Sequence, residues 1–495
     1  MKYKSTRDVE NKLYSGAEVI AMGLAPDGGL FMPTSIPAIG DEEWERLRTL
    51  SYPALAADIL HRYLDDYSEQ ELLEDANAAY GPQKFPEGAP AVNEVSDKLY
   101  SMELWHGPTC AFKDMALQMM PRLLSRALKK TNESKTALIL VATSGDTGKA
   151  ALEGFKDVDG VKIMVFYPAE GVSDTQKLQM ITQEGQNVSV CGICGNFDDA
   201  QNGVKTIFAD EIFEKALANA NVFLSRANSI NWGRLVPQIV YYVHGYLTLV
   251  NQGKIKMGET VDVCVPTGNF GNILAAYFAK KMGVPFGKFI CASNHNNVLT
   301  DFFASGTYNR NRPFFQTISP SMDILISSNL ERLLYLVCGA QKTALYMKEL
   351  KENGAYTLGA DEFEAIAGAF VGYFASDEAT KETLRKVYEE NGYLADTHTS
   401  VALDAAISYQ KTAESQNAIL VASTASPFKF SEDVLSALKG DGAQTKNAAK
   451  ELAASTGAQI PQQLANLAQK AVRFSSVIEK TAMQDAVWQF ATNKN

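Results

Sequence analysis

Between residues 136 and 293 the chain alternates short, continuous apolar runs with helix-patterned stretches, and this alternation restricts its fold more than any other feature. TALILVATS (136–144) is followed by a glycine-containing turn and the helix-like DTGKAALEGF. VKIMVFYP (161–168) and VSVCGIC (188–194) are two further runs, the second followed by a helix from about 198. VFLSRAN (222–228) leads into a helix near 233–250, and VDVCVPTG (261–268) into one near 271–282. FICAS (289–293) and AILVAST (418–424) complete the set. Apolar runs of this length, bounded by turns, are strands buried on both faces. Their alternation with helices predicts an α/β fold with a mainly parallel sheet and helices on both sides.

The flanking regions read differently. Residues 1–95 are expected to form a helical, turn-rich N-terminal domain, with a tight Gly/Pro turn in GLAPDGGLFMP (23–33). Residues 96–440 carry the α/β region, with a smaller lobe over roughly 135–225. Residues 441–495 are expected to be a helical, Ala/Gln-rich tail, with a boundary at GDGAQTK (440–446).

Composition removes several function classes. A chain of 495 residues calls for two or three domains. The net charge of -11, with no basic block, argues against nucleic-acid binding. The longest apolar runs, such as ALILVA at 137–142, are too short to span a bilayer, so no membrane partner is expected. MKYKSTRDVENKLY lacks the apolar core of a signal peptide, and a cytoplasmic location follows as the expectation. The six cysteines are scattered, without a disulfide framework. Cys191-Gly-Ile-Cys194 has no second ligand pair and lies in a strand-like run; it reads as small residues of a sheet, and no metal is expected.

In an open parallel sheet, ligands bind where strands end and helices begin, because backbone N–H groups and the helix dipole converge there. PTGNFGNILAA (266–276) is such a turn: Gly268 and Gly271 open the backbone, and Asn269 and Asn272 add side-chain donors. It lacks the spacing of a dinucleotide fingerprint. ATSGDTGKAAL (142–152) contains TGK, yet Gly145 and Gly148 are only three apart and Ala150 follows Lys149, so it is not a nucleotide P-loop. What remains is a hydroxyl-rich turn (Thr143, Ser144, Thr147) suited to a carboxylate or phosphate. In HGPTCAFKDMALQ (106–118), Lys113 opens an apolar helix. Alone, it reads as a solvated amine or a partner of Asp114. Beside two anion turns it becomes a candidate nucleophile. Pyridoxal phosphate joins such parts, needing an anion cradle, a lysine for a Schiff base and a polar partner for its ring nitrogen, which Ser423 or Thr424 offers.

GLAPDGGLFMP, HGPTCAFKD, ATSGDTGKAAL, SRANSINWGR and PTGNFGN occur in the order found in threonine synthases, and from YKSTRD to STASPFKF the chain resembles that family. The resemblance implies a two-lobed, fold type II pyridoxal-phosphate enzyme that converts O-phospho-L-homoserine and water to L-threonine and phosphate, by γ-elimination followed by β-addition of water. It implies Lys113 as the Schiff-base lysine and Gly268, Asn269, Phe270, Gly271 and Asn272 as the cradle for the cofactor phosphate. Thr424 would meet the ring nitrogen, and Ser144 and Thr147 the substrate's carboxylate or phosphate. Ser229, Asn231 and Arg234 would hold the substrate phosphate. Asp146 stands where related enzymes carry asparagine beside the cofactor's 3′-oxygen, so its carboxylate would have to be held neutral or shifted aside. Ser426 replaces a histidine of many relatives and is given no role. His106 and His398 are secondary acid–base candidates, with a structural hydrogen-bonding role as the alternative. A dehydratase or phospho-lyase of the same fold, or a non-catalytic binding protein, stays open, as does monomer or homodimer.

Overall fold

A computed structural model describes residues 1–88, 90–143, 145–170, 172–412, 415–440 and 447–493. Two sheets organise the chain. The larger has six strands in the order Phe370–Phe374, Phe286–Ser293, Val261–Pro266, Ala418–Ser423, Leu99–Glu103, Ala91–Ser96. All neighbours are parallel except the last pair, an antiparallel hairpin. The smaller is a five-stranded parallel sheet in the order Val477–Glu479, Val188–Cys194, Val161–Pro168, Thr136–Ala142, Val222–Ser225. Each of the seven apolar runs is a strand, and the helices Asp146–Phe155, Phe197–Ala209, Trp232–Asn251 and Gly271–Lys281 follow where the pattern places them.

Burial explains the runs. Ala137, Leu138 and Ile139 are wholly buried, as are Val263, Cys264 and Val265 in the other sheet, since helices cover both faces. The N-terminal region packs Leu55, Ile59 and Leu60 of Tyr52–Tyr63 and Leu72 of Glu69–Tyr80 into the same apolar core as the sheets. It also holds a short strand pair, Tyr3–Ser5 with Phe31–Pro33.

The tail departs from the helical expectation. Besides the helices Ala448–Thr456 and Met483–Thr492 it supplies Val477–Glu479, which caps the exposed edge of Val188–Cys194. Covering an open edge in this way satisfies its unpaired backbone groups, and three residues are too few to show a period. Apart from Gly440, the proposed boundary GDGAQTK lies outside the described residues. Among the described residues no helix is long and apolar enough to cross a membrane.

One consequence of this topology fixes the site. Val261–Pro266, Ala418–Ser423 and Leu99–Glu103 are adjacent and parallel, so the turns at their C-terminal ends converge. Those turns carry PTGNFGN, Thr424 and the HGPT segment.

Candidate active site

Lys113 is held at the start of the helix Lys113–Leu117 by the strand end beside it. Phe112 N donates to Thr424 O at 2.8 Å, Ala111 bridges to Ala425, and Ser426 N donates to Cys110 O at 3.1 Å. The segments 110–112 and 424–426 thus run against each other and aim the lysine inward. Its side chain does not pair with Asp114, whose carboxylate accepts from Thr109 N (2.8 Å) and Thr109 Oγ1 (2.7 Å). Instead the Lys113 Nζ lies 3.5 Å from Ser321 Oγ and 3.7 Å from Asp146 Oδ2, with only 8% of the residue exposed. Burial lowers its proton affinity; Asp146 opposes that, while Lys429 and Arg234 reinforce it.

Asp146 comes from the other sheet. Thr136–Ala142 ends in a turn whose Gly145 has φ 145°, and a Cβ there would meet the Gln176 amide at 2.4 Å. The helix Asp146–Phe155 then begins with the aspartate in its first turn. The surroundings of the carboxylate favour its charged form over the neutral one. Burial would raise its pKa, but Lys429 at 2.6 Å, Lys113 and the Gln176 Nε2 donor at 2.9 Å hold it well below the usual carboxylate range. Lys429, wholly buried and also donating to Thr109 O at 3.0 Å, went unrecognised in the sequence, though it lies in the quoted STASPFKF. Thr147 sits half-buried on the first turn of the same helix, and the Thr143 hydroxyl accepts from Gly145 N and Gly148 N, closing the turn. Ser144 lies outside the described residues.

In the 268–272 loop the backbone and side chains divide the work. Phe270 takes a left-handed conformation (φ 62°) just before the helix Gly271–Lys281, whose first-turn N–H groups have no intrahelical acceptor. The Phe270 ring points away into the core, 5.7 Å from Phe370, so its contribution is backbone only. The Asn272 Oδ1 accepts from Tyr241 OH (2.7 Å) and Tyr242 OH (2.5 Å), anchoring the helix start on Trp232–Asn251. Its buried Nδ2 has no protein partner. Asn269 is exposed, and Gly268 O accepts from Ser327 Oγ at 2.6 Å.

The SINWGR segment also separates into roles. Asn231 is not placed to bind substrate: its Oδ1 caps the helix at Gly233 N (2.8 Å), and its Nδ2 donates to Ile20 O and Arg226 O. Every polar atom of that side chain is committed. Arg234 differs. One terminal nitrogen donates to Ala227 O at 3.1 Å, its Nε is buried with no partner among the described residues, and burial lowers its pKa to about 10. No carboxylate pairs with it among the described residues. Ser229 Oγ lies 3.5 Å from Ser328 Oγ, which donates to Asn269 Oδ1 at 3.3 Å, so this segment and the 268–272 loop meet.

The two histidines have structural partners. His398 Nε2 accepts from Ser321 N at 3.1 Å while its Nδ1 lies 3.0 Å from Asp396 Oδ1, which fixes the loop facing Lys113. His106 lies between Glu103 (2.7 Å) and Glu87 (2.6 Å).

A buried amine of lowered proton affinity, a helix N-terminus with free donors, and an unpaired buried guanidinium fit an aldehyde-bearing phosphate ligand such as pyridoxal phosphate. Three family models match: Threonine synthase N terminus over residues 2–80, Pyridoxal-phosphate dependent enzyme over 89–424, and Threonine synthase, C-terminal, over 399–488. Threonine synthase-like 1 of Macaca fascicularis is 40% identical over 448 residues; the match covers 88% of this chain and 59% of that protein. The chain therefore spans less than two thirds of the length of such relatives. Threonine synthase of Saccharomyces cerevisiae is 37% identical, with 88% of this chain and 89% of that one covered. The crystal structure of a PLP-bound threonine synthase from Brucella melitensis superposes with a TM-score of 0.89 at 34% identity, covering 100% of both chains.

Proposed function

This chain belongs to the threonine synthase family of pyridoxal-phosphate-dependent enzymes, and on that premise we propose that it converts O-phospho-L-homoserine and water to L-threonine and phosphate, as a carbon–oxygen lyase acting on phosphate. The observation that carries the reading is the buried Arg234, with no carboxylate partner among the described residues and near enough to the buried Lys113 amine to lower its proton affinity. A guanidinium without a counter-ion is costly to bury unless an anion arrives to meet it. Its planar fork suits a phosphate dianion.

Pyridoxal phosphate, when bound, supplies an electron sink for the charge left on carbon as protons depart. Lys113 Nζ is the amine that would hold its aldehyde, and the N-terminus of Gly271–Lys281 the cradle for its phosphate. Thr424, at the strand end beside the start of the Lys113 helix, carries the hydroxyl that would partner the cofactor's ring nitrogen. Arg234 and Ser229 hold the substrate phosphate as it leaves Cγ. Thr147 would bind the substrate's carboxylate or phosphate from the first turn of Asp146–Phe155. Lys113 Nζ would take the Cα proton and return protons along the carbon chain, and its burial favours the neutral amine that this role needs. Asp146 lies within ion-pairing distance of Nζ and favours its ammonium form. Ser321 Oγ accepts from Nζ at 3.5 Å. The reading extends to a cytoplasmic enzyme, monomeric or homodimeric, acting on a small molecule.

The test is to supply purified, cofactor-loaded protein with O-phosphohomoserine and identify the organic product. Threonine with stoichiometric phosphate is expected. A keto acid as the sole product, or no turnover, would overturn the assignment.

A further inference from the structure

Arg332 is wholly buried, yet no carboxylate pairs with it among the described residues, and burial lowers its pKa to about 9. Its donors go to three separate stretches of chain. One terminal nitrogen donates to Ile230 O at 2.6 Å, the other to Asn329 Oδ1, and Nε donates to Phe31 O at 3.1 Å. The guanidinium also lies 5.8 Å from the Trp232 ring centroid.

Asn329 extends the span. Its Nδ2 donates to Ser229 O (3.2 Å) and to Asn269 O (3.0 Å), and its own N–H also donates to Asn269 O at 3.1 Å. Ser327 reaches Gly268 O. One amide side chain therefore bridges the 229–234 turn and the 268–272 loop, and Arg332 fixes that amide. The preceding residue, Glu331, takes a bidentate pair from Arg7 (2.8 Å each) and a bond from Thr6 Oγ1 (2.6 Å), so the N-terminal segment is fastened to the same junction.

We propose that Arg332 and Asn329 are positioning residues that hold the cofactor-phosphate loop and the substrate-phosphate turn in one mutual register, so that the two anions are bound as a coupled pair. The proposal rests on the functional reading for the identity of the second anion. Neither residue need touch a ligand. Each acts through carbonyls of Asn269, Ser229 and Ile230, whose placement sets where the neighbouring N–H groups and the Arg234 side chain point.

Two variants test it. Arg332→Lys keeps a charge but loses the planar fork. Asn329→Asp keeps the acceptor for Arg332 and removes the two donors that bridge the turns. Pyridoxal phosphate is titrated into the apo-protein by fluorescence, and KM and kcat for O-phosphohomoserine are measured on the loaded enzyme. Both variants are expected to weaken cofactor binding and raise KM together by roughly ten- to a hundredfold, with kcat moving less. Unchanged cofactor affinity, a shift in only one of the two constants, or a lowered melting temperature with both constants at the wild-type value would overturn the proposal. If Arg332→Lys does not fold, Asn329→Asp alone decides. Loss of cofactor affinity in a protein whose parent makes no threonine would sink the assigned reaction while leaving the cofactor arm of this inference standing.

Discussion

The Lys429 ammonium lies 2.6 Å from the Asp146 carboxylate, joining the turn after Ala418–Ser423 in one sheet to the turn after Thr136–Ala142 in the other. Both groups are shut away from solvent, and Lys429 also grips Thr109 O in the turn that precedes Lys113. The pair thus ties the two sheets together beside the nucleophile. It also leaves Asp146 charged, so Lys113 faces an anion.

Lys429→Met should cost about 3–5 kcal/mol, because among the described residues it leaves the buried carboxylate with only the more distant Lys113 as a cationic partner. Adding Asp146→Asn should recover much of that loss, since the stranded charge is gone. Urea denaturation of the two single variants and the double variant checks this. Additive losses would mean the two residues do not interact.

Burial of Lys113 favours its neutral form, so the amine loses its proton at a pH below the ordinary lysine value of about 10.4. In the apo-protein, aldehyde labelling followed by borohydride should therefore mark Lys113 ahead of surface lysines near neutral pH. Peptide mapping reads the site. Lys113→Ala should remove both this label and the Schiff-base absorbance near roughly 410 nm of the loaded protein.

Much of this was legible from residue order. Continuous apolar runs announce doubly covered strands because such strands have no wet face, and the glycine turns announce themselves through backbone freedom. Lys113 was visible for a chemical reason, an amine at the head of an apolar helix. Lys429 was not: one lysine among polar and aromatic neighbours carries no signal until its strand end is placed beside Asp146. Asn231 misled because a capping asparagine and a ligand-binding asparagine look alike in sequence. Arg332 and Asn329 escaped notice because their partners are carbonyls, as in Phe31 and Ile230, which leave no trace in residue type.

Asn231→Ala should behave as a structural lesion. It removes a helix cap and two donors to buried carbonyls, costing about 1–2 kcal/mol, with the larger part of the effect in stability and a smaller part in KM. Comparing melting temperature with KM for the phosphorylated substrate separates the two readings. A large rise in KM at unchanged stability would restore a binding role.

Arg234→Met should do the reverse. Without ligand it removes an uncompensated buried charge, so the variant should be as stable as the parent or more so. Inorganic phosphate should stabilise the parent by up to about 2.7 kcal/mol at a hundred times its Kd, and the variant less. Thermal scans across a phosphate series read both effects. Equal phosphate stabilisation in the two proteins would show that Arg234 does not hold the anion.

His106 gives the pH test. Burial alone would lower its pKa, but Glu103 and Glu87 override that and raise it above its ordinary value of about 6.5. The folded state then binds the proton more tightly than the unfolded chain. This stabilisation is fully present below about 6.5 and is lost as pH rises through the raised folded value. His106→Gln should be less stable than the parent in mild acid, with the gap narrowing in mild alkali as the imidazole empties. Urea midpoints of both proteins across that range measure the gap. A gap that stays constant with pH would mean the imidazole acts through packing on Trp105, 4.0 Å away centroid to centroid, and not through its charge.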